Sequence, residues 1–96
     1  MKEITQEQID AWKREHGKVY VAKAGEYAGY FRKPTRKELS YAMTLREKPL
    51  EMTELILRSC WLGGDEAMLE DNECLLGCDK LVEKLLHVKE MEVGEL

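Results

Sequence analysis

The sequence predicts a small α+β domain: an N-terminal helix, one β-hairpin, then three or four helices packed on it. Three observations carry that reading. Two capping boxes, Thr5-x-x-Gln8 and Thr35-x-x-Glu38, announce helix starts. Between them, "KVYVAKAGEYAGYFRKP" sets two β-branched and aromatic clusters around a glycine. After them, apolar residues recur at helical spacing almost to residue 96.

The first helix is expected over about residues 6–16. The Thr5 hydroxyl faces the third helical amide, and Ile4 and Ile9 hold the hydrophobic-staple positions. Ile9 and Trp12 form a short apolar stripe, and Gly17 can leave the helix with positive φ. Val19, Tyr20 and Val21 then favour one strand, and Tyr27, Tyr30 and Phe31 a second, with "AKAGE" as the turn. Gly29 inside the second strand signals a bulge or a close packing contact. Pro34 ends that strand, since it has no amide to give a ladder. A lone hairpin is marginal, so helices must cover it.

Leu39, Ala42 and Met43 give the helix from Thr35 its inner face, with Met43 expected in the core. Pro49 breaks that pattern and suits the first position of a new helix. Leu50, Leu55, Ile56, Cys60 and Trp61 repeat along it, and Gly63-Gly64 is expected to stop it, with Asp65 capping or turning the chain into the next element. "DEAMLEDNE" reads either as a helical turn or two, or as a loop. Leu75, Cys78, Val82, Leu85 and Leu86 form the strongest stripe in the chain. Gly77 weakens its start or divides it in two, and residues 90–96 are expected to fray.

The 96 residues are read as one domain, 1–96, without repeats or linkers. Apolar residues make up 44% and charged residues 35%, within the soluble globular range. No apolar run approaches the roughly 20 residues of a membrane span, and the N-terminal stretch lacks the apolar core of a secretory signal. A cytoplasmic protein is expected. Net charge is −4, unevenly spread. Residues 1–64 hold 12 Lys and Arg against 9 Asp and Glu, whereas residues 65–96 hold 3 against 10. The acidic final third argues against a general nucleic-acid binder and suits contact with another protein.

No paired carboxylates, Ser-His-Asp set or glycine-rich cofactor fingerprint stands out, so the expectation is no enzyme and no cofactor. Gly63-Gly64-Asp65 fails as a phosphate loop, because it follows a helix, lacks a nearby Lys and carries acids. The acids after it lack the alternation of a calcium loop. Cys60, Cys74 and Cys78 are an odd set and read as reduced packing residues. Zinc binding would need His16 or His87 as well, and a nucleophilic Cys60 would need a base brought from afar. The remaining constellation is basic and aromatic: Tyr30, Arg32, Lys33, Arg36 and Lys37. It is the candidate partner-binding site. The alternative function is a small nucleic-acid-binding regulator using this cluster.

"ITQEQIDAWKREHGKVY", "YFRKPTRKELSYAM" and "ILRSCWLGGDE" together resemble small proteins encoded in phage and prophage regions of gut bacteria. Those proteins are similar to the tail assembly chaperones of long-tailed phages. The resemblance implies a small α+β body without catalytic residues or cofactors, working in the host cytoplasm. It implies binding to tape-measure or tail-tube proteins during assembly, and in some members homo-oligomers or a frameshift-extended form. It assigns a role to no individual residue.

Overall fold

The computed structural model describes residues 3–96; the first two residues of the predicted domain lie outside the described ones. The expected α+β architecture is present. Helix α1 (Gln6–His16) leads into β1 (Val19–Ala24) and β2 (Tyr27–Arg32), then α2 (Arg36–Met43) and α3 (Pro49–Cys60). Strand β3 (Trp61–Gly64) comes next, with α4 (Ala67–Glu70), α5 (Asn72–Leu76) and α6 (Asp79–Leu85) closing the body.

Both capping boxes form. Thr5 accepts from the Gln8 amide while the Gln8 side chain accepts from the Thr5 amide, and Thr35 and Glu38 repeat the arrangement. The hairpin turns through Gly25 and Glu26, with Ala24 paired to Tyr27. Gly25 alone of the two has positive φ, as a type II′ turn requires. β1 and β2 then pair in unbroken antiparallel register from Val19–Arg32 to Ala24–Tyr27.

Strand alternation sorts the sheet's side chains onto two faces. Phe31, Gly29, Tyr20, Ala22 and Ala24 face the helical layer of α3 to α6. Its core is Phe31, Ala42, Ile56, Leu57, Cys60, Met68 and Leu85. Tyr30 and Gly63 face the other way, where Trp12 of α1 lies. Each face carries one aromatic pair. Phe31 meets Trp61 edge to face at 5.3 Å on the core side, and Tyr30 meets Trp12 at 5.7 Å on the α1 side.

The main departure from expectation is at "CWLGG". Gly63-Gly64 does not stop α3. The helix ends at Cys60, Trp61 is already extended, and Trp61–Gly64 is a third strand. It runs antiparallel to β2, giving the order β1-β2-β3. Trp61 pairs with Phe31 and Gly63 with Tyr30, so Leu62 is the extra residue of a bulge. Pairing with β2 outweighs the helical periodicity. The glycines supply room. A Cβ on Gly63 would come within 3.0 Å of the Trp12 ring, and one on Gly29 within 2.5 Å of the Trp61 ring. Gly29 is thus the close contact rather than the bulge. Gly64, at φ 121°, sits where a Cβ would run into the Ala28 carbonyl.

Met43 and the end of the last helix also depart from expectation, and two open readings resolve. Met43 is half exposed, because Ala42 takes the buried position on α2 and the next residue lies about 100° round the helix. "DEAMLEDNE" forms α4, and Asp71 then caps α5 by accepting from the Glu73 and Cys74 amides. The long final stripe splits at Gly77 into α5 and α6. Its helix ends at Leu85 rather than continuing through "HVKEMEV", and residues 87–96 carry no regular structure.

Replacing Gly64 with Ala is expected to cost about 1–3 kcal/mol, since positive φ and a backbone clash coincide there. Gly94→Ala, which meets nothing within 4 Å, is the matched control and should be neutral. Urea titration of both variants measures the difference. Equal midpoints would contradict the β3 geometry.

Candidate partner-binding surface

The five residues singled out from sequence do not form one open patch. Tyr30 lies half-buried against Trp12. Arg32 turns inward. Its guanidinium donates from Nη1 and Nη2 to the two Glu38 carboxylate oxygens, each at 2.8 Å. Nη2 also donates to the Ser59 carbonyl at 2.7 Å, and Nη1 to the Lys33 carbonyl at 3.0 Å. Arg36 and Lys37 are exposed on the first turn of α2, and Lys33 is half-buried. The cluster therefore lends its best-placed cation and its aromatic ring to the fold, leaving two exposed charges.

The Arg32 fork has a structural consequence. The Ser59 carbonyl belongs to the last turn of α3, where no intrahelical amide is available to it. Arg32 satisfies it in place of a glycine cap, which lets α3 pass straight into β3. Glu38 meanwhile accepts from the Thr35 amide at 2.8 Å. One ion pair joins the end of β2, the first turn of α2 and the end of α3. Bidentate Arg–carboxylate pairs of this kind are the strong ones.

The cysteines pack. Cys60 is fully buried, and burial pushes its thiol up to about 11, against a smaller lowering by Arg32. Burial also raises Cys74 and Cys78, helped by neighbouring acids. The Cys78 thiol donates to the Leu75 carbonyl at 3.0 Å. A nucleophile needs a lowered thiol, so the environment works against that chemistry. Among the described residues, no three His, Cys, Asp or Glu side chains gather as a metal set. None of the helices there is long and apolar enough to cross a membrane.

The sequence did not reveal a groove beside β1. It has a volume of about 350 Å³. Tyr20, Ala22 and Ala24 form one wall, while Leu57, Leu75 and Leu81 contribute from α3, α5 and α6. Lys80 and Lys84 of α6 line it too, as does Lys23 at the strand edge. None of these three lysines has an ion-pair partner among the described residues. Arg58 also lines the groove but is engaged by Glu54 at 3.1 Å and Glu70 at 2.9 Å.

The groove borders a free backbone edge. Ala28 donates its N–H to the Asp65 carboxylate and accepts from the Asp65 amide, both at 2.9 Å. Residues 28, 30 and 32 of β2 therefore face β3, and 27, 29 and 31 face β1. By the same alternation, the amides and carbonyls of Val21 and Lys23 point away from the sheet. Edge strands of this kind accept an added strand. Only contact with α3, α5 and α6 creates the groove, which is why no local sequence signal marks it.

Glu38 carries a pH prediction. Its hydrogen bonds from Arg32 lower its carboxyl from the usual 4.5 to about 2. A lowered folded pKa means the pair's stability is present above pH 4.5 and is lost as pH falls towards 2. Urea titrations across that window should show a loss that flattens in Glu38→Gln, and Arg32→Ala should cost about 1–3 kcal/mol at pH 7. An Arg32→Ala variant as stable as the parent would contradict the tie. Compared with known protein families, characterised proteins and solved structures, the chain matches none.

Proposed function

We propose that this chain is a non-enzymatic binding protein of phage or prophage origin that works as tail assembly chaperones do. In this reading it acts in the host cytoplasm and holds an apolar segment of a tape-measure or tail-tube protein until assembly. The observation that carries the reading is the apolar groove beside the open edge of β1. A chaperone for aggregation-prone segments needs apolar surface presented on a charged, soluble body. The groove supplies that surface, and the free edge supplies backbone groups that bind without regard to side-chain sequence. Lys80 and Lys84 would favour client segments flanked by acids.

Met68, part of the core, also lines the groove, whereas Met52 packs beside the core. The nucleic-acid alternative loses Arg32 to Glu38 and is not favoured by the geometry.

The test is co-expression of the tagged full chain with the tape-measure protein encoded beside it. Capture is expected for the parent. It should be lost in Ala24→Glu, which sets a carboxylate in the groove, with far-UV circular dichroism verifying the fold. Absence of tail genes in the neighbourhood, together with no capture, would reject the proposal.

A further inference from the structure

Residues 87–96 are exposed along their whole length. Met91 and Val93 are 90% and 92% exposed, although both are apolar. The body is correspondingly long, 56 Å against 32 and 21 Å. Its radius of gyration is 14.9 Å, where a compact chain of this length has about 12.5 Å. The segment therefore stands off its own body with its apolar side chains uncovered.

Its pattern is that of an edge-seeking strand. Glu90-Met91-Glu92-Val93 alternates, so an extended backbone puts Met91 and Val93 on one face and Glu90 and Glu92 on the other. Residues 90–95 match the six residues of β1 in length. The charges also match. The segment carries Glu90, Glu92 and Glu95, while the groove and strand edge carry Lys23, Lys80 and Lys84 without ion-pair partners among the described residues.

We propose that residues 90–95 of one copy of this chain dock beside β1 of a second copy, setting Met91 and Val93 into its groove. The segment adds a strand to the open edge; Glu95, on the Met91 and Val93 face, meets Lys80 and Lys84, while Glu90 and Glu92 fall on the opposite face beside Lys23. This contact rests on the groove being the client site, and it regulates that site: a seated segment excludes a client until the client displaces it. The interface is heterologous, with a segment from one copy entering a groove on another, so each pair leaves one segment and one groove free.

The experiment is sedimentation velocity on the purified full chain, without any client, over a concentration series. The parent should self-associate reversibly. Met91→Asp with Val93→Asp removes the apolar insertion, and Lys80→Glu with Lys84→Glu reverses the rim charge. All four positions are exposed, so both double variants should keep the fold. Each should weaken self-association about tenfold or more. Mixing the two restores a complex, because one retains an intact groove and the other an intact segment. A parent that stays monomeric at all concentrations overturns the proposal, including the case where the segment folds back on its own groove. Self-association that neither variant weakens, or variants that fail to complement, also overturns it. Client capture is measured separately, so loss of this contact leaves the binding function standing.

Discussion

Arg32 is the point on which the layers of this protein converge. Its guanidinium joins β2 to α2 through Glu38 and to α3 through the Ser59 carbonyl. The second bond matters most for the architecture. A helix that ends without a glycine cap leaves carbonyls to satisfy, and here a side chain from the neighbouring strand does so. That frees Trp61 to become extended at once and to pair with β2. The Trp61 ring then closes over Phe31 on the core face, while Gly63 opens the opposite face to Trp12. The sheet is thereby covered on both sides, as a two-strand hairpin alone is not.

The two edges of that sheet are treated differently. β3 has only four residues and is bulged at Leu62. These are common devices for blunting an edge. β1 has six residues in regular register and no bulge. Its outward backbone borders an apolar groove rather than a covering helix. A protein with one protected and one open edge has a directional surface for another chain, and the proposed binding role derives from that asymmetry. Cys74 and Cys78 line this groove, while burial holds Cys60 in its thiol form.

Local signals made much of the fold legible. The two capping boxes, the Gly25 hairpin and Pro49 at the start of α3 each act within a few residues, and each appears where the sequence places it. β3 was hidden because four residues are too few to show a two-residue period. Cys60 and Trp61 continue the spacing of α3, and only β2 tells them apart. The basic cluster illustrates the same limit. Arg32, Lys33, Arg36 and Lys37 are close in sequence, but the ion pair that withdraws Arg32 needs the folded position of Glu38 and Ser59. The groove depends on three helices meeting one strand, so its residues are scattered from Tyr20 to Lys84.

Amide hydrogen exchange, resolved by residue at low protein concentration, tests the central asymmetry most directly. The account predicts that the Ala28 and Asp65 amides are protected, because each is bonded across the β2–β3 seam. Along β1 it predicts alternation, with Tyr20, Ala22 and Ala24 protected and Val21 and Lys23 exchanging freely. Rapid exchange at Ala28, or uniform protection along β1 in dilute solution, would contradict it.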